Sequence, residues 1–432
     1  MMKKQDYEVI ICGAGVGGLA LAIALGLQGR RVLVLEKRHA EALVHRGELL
    51  QPRTLEILAQ WRVLPELQRR NSLSIAALEA RTAQGQYLGE LNYRLLPEVY
   101  NYGLAQYYHE IKSALYNVAR NVAHIQYGAR VLNLERDAWG KVSGVHVLQG
   151  KQEDVITAPL TVGADGRTSQ MRKEIGIPAH MFEYPHQLMG FDLTDVHHLP
   201  PRMCAFLSKE GVRVLYPMPA NRARLYVQIK PGEFAAIKQK GILTWQRELL
   251  SWTPGLQLVE QYLPQDFSAA QLQGAWSYSA RNWSQAGVAL LGDAAHYVHP
   301  TAGQGMNAAI IDAWSLAQAL EEAAEGHELT EEAAALALLR YDDRRREFQF
   351  VSMLCHRMAL FCTSTAPHRR ALTRWSLQIN RDNQFLQYRV MRNVAGYSCE
   401  PLSFAERLRQ YVVLPTSVIT PTDRKRPSVS QR

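Results

Sequence analysis

The glycines at positions 13, 15 and 18 constrain the fold of this chain more than any other feature. They follow an apolar run over residues 7–12 that is typical of a β-strand, and they precede a helical pattern over 16–28. In such a G-x-G-x-x-G turn, the first glycine permits a tight bend, the second lets the backbone approach a pyrophosphate, and the third lets the helix pack on the strand. A second strand is predicted to end at Glu36, where a carboxylate can accept hydrogen bonds from ribose hydroxyls. The segment predicts a βαβ unit that binds a dinucleotide, but it does not distinguish FAD from NAD.

The composition is that of an ordinary globular protein and excludes several other classes. The 432 residues, 47% apolar and 21% charged, are enough for two or three hydrophobic cores. The net charge of +9 is spread along the chain apart from the tail at 423–426, which fits an anionic ligand and argues against nucleic acid. The five cysteines have no metal-ligand spacing, so we expect no metal and a reduced, cytoplasmic protein. No apolar stretch of about 20 residues predicts a membrane-spanning helix.

The order of the predicted elements indicates an α/β fold in which one domain is interrupted by another. Aromatic and β-branched runs over residues 180–275 suggest a second sheet. On either side of it lie the elements of the first domain. Helices are predicted at 48–61, 107–122 and 305–320, and strands at 130–134, 142–148, 160–165 and 287–291. We therefore expect a discontinuous Rossmann-like cofactor domain, an inserted β-sheet substrate domain and a helical C-terminal region.

Two later segments resemble motifs of a known family. Residues 162–169, Val-Gly-Ala-Asp-Gly-Arg-Thr-Ser, together with Arg172, resemble the "DG" motif of class A flavoprotein monooxygenases, which include aromatic-ring hydroxylases and ubiquinone-biosynthesis hydroxylases. Residues 291–307, which begin Leu-Gly-Asp-Ala-Ala-His, resemble the "GD" motif of the same enzymes, and residues 46–58 are also similar. The resemblance covers about residues 7–345 and implies that the dinucleotide is non-covalent FAD.

The resemblance also implies a set of FAD contacts. Asp293 would contact the ribityl-pyrophosphate part, Pro300 would lie close to the isoalloxazine, and Arg46 would contact the ribityl or pyrophosphate portion. A helix that begins near Gly305 would direct its positive end at the anionic edge of reduced flavin. Many family members carry Arg or Gln where this chain has Tyr108, so that contact would lack a positive charge. The predicted cofactor-binding residues are Gly13, Gly15, Val16, Gly18, Glu36, Lys37, Arg46, Tyr108, Val131, Asp165, Gly166, Asp293, Pro300, Gly303, Gly305, Met306 and Asn307.

For the reaction, the resemblance implies an NAD(P)H-dependent monooxygenase. NADH or NADPH would reduce FAD, O₂ would add to give a flavin C4a-hydroperoxide, and one oxygen would hydroxylate or epoxidise an aromatic or polycyclic small molecule. Two alternatives stay open: an FAD-dependent reductase of the same fold, and a non-redox module that binds FAD or substrate.

Candidates for a catalytic base or hydrogen-bond partner are His296 and Tyr216. Each has a plainer interpretation, His296 as a hydrogen-bonded core residue and Tyr216 as a residue of a sheet. Similarly, Phe191, Trp276 and Trp283 could line an aromatic pocket or simply pack in a core.

We expect the following division of the chain. Residues 1–75, 107–180 and 276–346 would form the FAD-binding domain, residues 76–106 and 181–275 the substrate domain, and residues 347–432 a helical region with a mobile basic tail. The apolar segment 348–361 suits either a buried helix or weak peripheral membrane contact by an enzyme with a lipophilic substrate.

Overall fold

A computed structural model describes residues 7–39, 47–300 and 303–410. The strands are β1 (Val9–Cys12), β2 (Val32–Glu36), β3 (Gly47–Leu50), β4 (Leu73–Ile75), β5 (Ala77–Thr82), β6 (Tyr87–Asn92), β7 (Gly103–Tyr107), β8 (His124–Tyr127), β9 (Ala129–Arg136), β10 (Val142–Gln149), β11 (Gln152–Thr157), β12 (Leu160–Gly163), β13 (Ala179–Leu193), β14 (Arg202–Ser208), β15 (Gly211–Met218), β16 (Arg222–Ile229), β17 (Gln271–Ala280), β18 (Ser284–Gln285), β19 (Val288–Leu290) and β20 (His296–Tyr297).

The helices are α1 (Val16–Leu27), α2 (Pro52–Gln60), α3 (Leu64–Arg69), α4 (Tyr108–Ala119), α5 (Gln170–Glu174), α6 (Glu233–Lys240), α7 (Ile242–Trp252), α8 (Gly305–Ala324), α9 (Glu331–Thr363), α10 (Pro367–Asn380), α11 (Gln384–Val394) and α12 (Phe404–Arg409). Short 3₁₀ turns lie at Tyr93–Leu95, Pro254–Tyr262 and Gly292–Ala294.

A six-stranded, mostly parallel sheet forms the first layer. Its order is β18-β19-β12-β1-β2-β8, with β1 parallel to both β12 and β2. The three central strands β1, β12 and β19 are buried along their whole length, as expected for parallel strands covered on both faces. Helices α1 and α8 pack against each other beside this sheet. The predicted α/β class with a discontinuous Rossmann-like domain is confirmed.

The second layer is an eight-stranded mixed sheet of order β20-β17-β13-β16-β15-β14-β5-β6. Helices α6 and α7 and the turn Pro254–Tyr262 cover part of it around a separate core. In that core Phe191 packs on Trp245, with ring centroids 5.1 Å apart, and on Phe267. Phe191 is therefore a core residue rather than the wall of a pocket.

The C-terminal helices form a third layer against the far part of the same sheet. Helices α10 and α11 pack on β6, and α9 packs on β14 and β15. The predicted helical C-terminal region is confirmed, and residues 348–361 belong to α9. Within the described residues, no helix is long and apolar enough to cross a membrane.

One predicted helix was wrong in its first part. Residues 47–50 form β3, which pairs antiparallel with β7, and the helix begins only at Pro52. Proline lacks a backbone N–H and disfavours the helical conformation in the residue before it, so it is tolerated at the start of a helix and not within one. Gln51 accordingly has an extended backbone, with ψ of 158°.

Two of the predicted domain boundaries fall inside strands. Residue 180 lies in β13 and residue 275 lies in β17, and these two strands pair antiparallel. Strands β5 and β6 join the eight-stranded sheet, whereas β3, β4 and β7 form a small sheet of their own. The division of the chain into domains stays a prediction.

Candidate active site

The three motif glycines occupy different environments. Gly13 has φ of +116°, and a side chain there would collide with the backbone of Ala164. A Cβ at Gly18 would collide with the carbonyl oxygen of Gly13, so this glycine lets α1 press against the turn after β1. Gly15, in contrast, faces open space, with nothing within 4 Å of the position of a Cβ. The turn thus has two packed glycines and one that leaves room for a ligand.

The open glycine lines a cavity of about 380 Å³ between the six-stranded and eight-stranded sheets. One wall carries nine of the predicted cofactor residues, with Gly292 and Ala164 beside them: Gly15, Val16, Tyr108, Gly166, Asp293, Pro300, Gly303, Gly305 and Met306. We call it the cofactor wall. The opposite wall, which we call the sheet wall, consists of Leu188, Met203, Val214, Tyr216, Tyr226 and Gln273.

The two helices that begin at the cofactor wall have unblocked N-termini. Helix α1 starts after Gly15 and α8 after Gln304, and neither cap residue makes a side-chain hydrogen bond to the helix. Neither helix has an acidic residue in its first turn. The free N–H groups and the helix dipoles therefore make both ends suitable for an anion.

Glu36 stands at the end of β2, close to the glycine turn. Its carboxylate accepts hydrogen bonds from the backbone N–H of Ala14 and of Arg38, both at 3.0 Å. These bonds fix the carboxylate beside the turn. Lys37, the next residue, is exposed, and Val131 lies on β9 outside the cavity lining.

Hydrogen bonds from two side chains connect the DG and GD segments. Arg172 donates through Nη1 to the carbonyl of Ala294 at 2.5 Å and through Nη2 to the carbonyl of Arg167 at 3.2 Å. The Tyr278 hydroxyl donates to the carbonyls of Arg167 and Asp293. Arg172 was noted in the motif, but Tyr278 was missed, because a tyrosine in a strand of the other sheet carries no local signal.

Asp165 shapes the DG turn. Its Oδ2 accepts hydrogen bonds from the backbone N–H of Gln170 at 2.7 Å and of Met171 at 3.2 Å. Its Oδ1 is buried and has no hydrogen-bond partner among the residues that the structure describes. Gly166, which follows it, has φ of +82° and faces open space, so the turn brings bare backbone to the cavity.

Asn307 is a positioning residue rather than a cavity residue. Its side chain accepts from the Gln51 N–H at 2.8 Å and donates to the carbonyls of Leu49 and Gly303, at 2.9 and 2.8 Å. These bonds tie the first turn of α8 to the end of β3. A contact with the cofactor from this residue would have to come from its backbone.

His296 lies in the core and not at the cavity. It is fully buried, and its Nε2 is 2.5 Å from Oδ2 of Asp312, whose other oxygen accepts from Arg344 at 2.9 Å. Its ring stacks on Phe348, and Trp283 packs beside it. This position does not support a role for His296 as a base, and it makes Trp283 a core residue too.

The Asp312 carboxylate holds this buried cluster together. Burial opposes its ionisation, but His296 and Arg344 outweigh that effect and lower the pKa of Asp312. The same carboxylate lies 3.3 Å from the backbone N–H of Gly292, in the GD turn. The buried cluster therefore supports the cofactor wall from behind.

Tyr216 lies on the sheet wall and lines the cavity. It is 3% exposed, and the absence of a side chain at Gly47 leaves room for its hydroxyl. Burial, with a smaller effect from Tyr226, raises the pKa of Tyr216 well above its ordinary value. Tyr216 is therefore a neutral phenol that can donate a hydrogen bond, and it is unsuited to act as a base.

A buried pair of histidines joins the two walls. His299, which lines the cavity next to Pro300, is fully buried, and its Nε2 is 2.8 Å from Nε2 of His186 on β13. Burial lowers the pKa of His186 to about 4, and burial together with His186 lowers that of His299 to about 3. Both rings are neutral at pH 7, one as donor and the other as acceptor. The sequence does not reveal this pair, because its two members are 113 residues apart.

Two predictions fall on residues whose structure is not described. Arg46, a predicted FAD contact, and the basic tail at 423–426 both lie outside the described residues. Trp276 is described and stacks under Arg167, whose guanidinium lies 4.6 Å from the ring centroid. Among the described residues, no group of three or more His, Cys, Asp or Glu could hold a metal ion.

The family profile described as "FAD binding domain" matches residues 6–351. This range contains the glycine turn, the DG and GD segments and most of both sheets. The chain belongs to the FAD-dependent monooxygenases. FAD is accordingly its cofactor, and the use of NAD(P)H and O₂ fits this family in general.

Individual relatives agree with that assignment. The chain is 31% identical over 363 residues to the ubiquinone hydroxylase UbiL of Rhodospirillum rubrum, covering 78% of this chain and 77% of that protein. It is 28% identical over 330 residues to the 6-methylpretetramide 4-monooxygenase of Streptomyces rimosus, covering 75% of this chain and 77% of that protein. Among solved structures, PqsL of Pseudomonas aeruginosa in complex with 2-aminobenzoylacetate superposes with a TM-score of 0.76 at 25% identity, over 85% of this chain and 99% of that one.

Proposed function

We propose that this enzyme oxygenates an aromatic, lipophilic small molecule that binds in the 380 Å³ cavity between the cofactor wall and the sheet wall. The observation that carries the proposal is the contrast between these walls. One consists of open glycines and helix N-termini, which suit an anionic dinucleotide, and the other of apolar and phenolic side chains, which suit an aromatic ring.

The residues of the cofactor wall fit FAD. The open positions at Gly15, Gly166 and Gly303 leave space where any larger residue would place a side chain. Gly15 stands at the N-terminus of α1, where the pyrophosphate would receive backbone N–H groups. Glu36 would receive the ribose hydroxyls, and the start of α8 would face the pyrimidine edge of the flavin. When bound, FAD supplies the redox chemistry of the reaction.

The protein itself would contribute binding, orientation and exclusion of water. Met203 and Val214 provide an apolar surface against which a ring can lie. Tyr216 and Tyr226 offer hydroxyl groups to a polar substituent, and the raised pKa of Tyr216 keeps its hydroxyl protonated as a donor. None of the residues assigned here needs to form a covalent bond to the substrate.

Spectroscopy and product analysis test this function. The purified protein is expected to show the absorbance of bound flavin, and a screen of phenols, quinolones and quinones should reveal compounds that stimulate NAD(P)H oxidation in air. The product should gain the mass of one oxygen atom. Protein without flavin, or turnover that continues without O₂ and leaves no oxygen in the product, would refute the proposal; the second result would identify a reductase.

The surface of α10 supports weak contact with an anionic membrane. Leu372 and Trp375, which are 45% and 55% exposed, lie one turn apart, and Arg369 and Arg374 are exposed on the same helix. Exposed aromatic and aliphatic side chains next to cations are typical of helices that lie in a membrane interface.

Vesicle cosedimentation tests this contact. We expect binding to vesicles that contain phosphatidylserine, weakening as salt is raised, and little binding to pure phosphatidylcholine. Trp375→Gln should weaken it, whereas Trp139→Gln, a change of a tryptophan that is 90% exposed in another part of the molecule, should not. Equal binding by both variants and the parent would exclude α10 as the contact.

A further inference from the structure

A second cavity lies between the eight-stranded sheet and the C-terminal helices. Its volume is about 370 Å³, close to that of the first cavity. The sheet contributes mostly aliphatic residues, and the helices that cover it contribute aliphatic, aromatic and polar residues. The apolar lining residues are Leu78, Leu91, Met203, Ala205, Leu207, Val212, Val214, Phe350, Met353, Leu354, Met358, Phe361, Leu377, Leu386 and Val390.

The two cavities share part of their walls. Leu49, Met203, Val214 and Gly303 line both of them. Met203 and Val214 come from neighbouring strands of the sheet, and Gly303 precedes the helix whose start faces the flavin position. The two cavities therefore adjoin each other at these residues.

The charged residues at the second cavity do not offer a site for an ionic group in its interior. Glu79 is buried and lies 3.4 Å from Arg202, and Glu90 also pairs with Arg202. Three arginines, Arg357, Arg381 and Arg407, line the cavity but are exposed. Their charge stands at the solvent edge, and the interior between them and the sheet is mostly apolar, with Gln51, Thr373 and Asn393 as buried polar residues of the lining. Such a space favours an uncharged aliphatic chain.

Most of the helical wall lies outside the segment that the family profile matches. That match ends at residue 351, whereas Leu354, Met358, Leu377 and Val390 all follow it. The residues that line the first cavity lie within the matched segment, whereas much of the helical wall of the second cavity lies after it.

We infer that the second cavity binds an aliphatic arm of the substrate, so that the substrate is a ring carrying an alkyl or isoprenoid chain. This inference rests on the proposed function, because it takes the occupant of the first cavity to be the ring that is oxygenated. The shared residues Met203 and Val214 stand where ring and chain meet.

Calorimetric binding of 4-alkylphenols, from 4-ethylphenol to 4-decylphenol, tests the inference without any turnover. Each added methylene should tighten binding by about fourfold while the chain still enters the cavity, since burial of one CH₂ is worth about 0.8 kcal/mol. Affinity that does not change with chain length would overturn the inference. Flavin content and NAD(P)H oxidation, measured on the same protein, report separately on the proposed function.

A variant with a larger side chain in the second cavity tests whether the gain in affinity with chain length arises there. Met358→Trp should abolish the gain with chain length and leave 4-ethylphenol binding within about twofold of the parent. Leu360→Trp, on the same helix but outside the cavity lining and 37% exposed, is the matched control and should behave as the parent. If thermal melting shows that Met358→Trp does not fold, Val390→Phe on α11 fills the cavity from another helix. An unchanged length dependence in a folded filling variant would refute the site.

The chain's own C-terminal segment is the competing occupant. Gln410 lines the cavity, and the sequence continues with the apolar residues 411–414. Removal of residues 411–432 should leave the length dependence unchanged. A length dependence that appears only after this truncation would assign the cavity to that segment and would overturn our inference.

Discussion

The two walls of the first cavity are built by different means. The cofactor wall presents much backbone, from the glycine turns and the starts of α1 and α8, beside a few larger residues such as Tyr108 and Met306. The sheet wall presents side chains, with Tyr216 and Met203 as examples, on strands whose backbone is already paired. A binding site that is formed by the backbone tolerates few substitutions, so its glycines occur at a recognisable spacing in the sequence. A side-chain site can be changed one residue at a time, which lets substrate preference vary over a constant cofactor site.

The largest expected effect concerns the support behind the cofactor wall. Asp312→Ala would remove the buried carboxylate partner of Arg344, leave it only the more exposed Glu347 at 3.2 Å among the described acidic residues, and release the GD turn at Gly292. We expect the free energy of unfolding to fall by about 3–5 kcal/mol, the usual cost of breaking a buried ion pair, measured by urea denaturation.

Asp192→Ala, in the eight-stranded sheet, is the variant to compare with Asp312→Ala. Asp192 accepts from Tyr107 at 2.8 Å and pairs with Arg222, which is 38% exposed. Because water can solvate this arginine, the cost should be about 1 kcal/mol. Equal losses for the two variants would remove the distinction between a rigid cofactor wall and a more tolerant sheet wall.

Two glycine variants should separate packing from binding within the cofactor wall. Gly18→Ala places a Cβ against the carbonyl of Gly13 and should destabilise the fold by about 3 kcal/mol. Gly15→Val enters open space at φ of −76°, so the fold should remain while FAD affinity falls on the order of 100-fold. Thermal melting and flavin content after gel filtration measure the two effects. Retention of flavin by folded Gly15→Val would contradict the position assigned to the pyrophosphate.

The buried pair of His186 and His299 should make the stability of the fold depend on pH in the acid range. An unfolded histidine binds a proton near pH 6.5, but the pKa of His186 in the fold is about 4 and that of His299 about 3. Between these values the unfolded chain binds more protons, so stability falls as pH decreases from 6.5 towards 4, by up to about 1.4 kcal/mol per pH unit for each ring.

The pair's share of this pH dependence can be isolated by mutation. His186→Gln should reduce the slope of unfolding free energy against pH in urea denaturation between pH 6.5 and 4.5. His180→Gln, which changes an exposed histidine on the same strand, should not. Identical slopes for both variants would show that the pair is not the sensitive element.

The smallest expected effect is on the sheet wall. Tyr216→Phe removes one hydroxyl and should raise KM for a hydroxylated substrate by about tenfold or less, with flavin content unchanged. Tyr262→Phe, a change in the separate core beneath α7, should leave KM unaltered. A loss of flavin in Tyr216→Phe would mean that this tyrosine belongs to the cofactor site.

The contrast between a wall formed by backbone and a wall formed by side chains also explains which parts of the site the sequence could predict. The glycine turn, Gly166 and the start of α8 could be predicted because each requires a particular residue at a fixed spacing. The structure places all three at the first cavity, and their contact with FAD stays a prediction. Tyr278 and the His186–His299 pair were missed, since their partners are distant in sequence and any local pattern is absent. His296 was overvalued because a histidine beside a motif looks the same in sequence whether it faces the cavity or the core. The second cavity could not be predicted, since it depends on how the C-terminal helices dock.

The order of strands in the first sheet has a consequence for how the protein is made. β1 pairs with β12, which lies about 150 residues later, and β12 pairs with β19, which is again more than 100 residues further along. During synthesis the glycine turn emerges early, but its neighbours in the cofactor wall emerge only with the GD segment and α8. Pairing over such separations is slow, and until it is complete the exposed edges of β1 and β2 are open to wrong partners. Flavin would therefore bind only after most of the chain has been synthesised and the cofactor wall is complete.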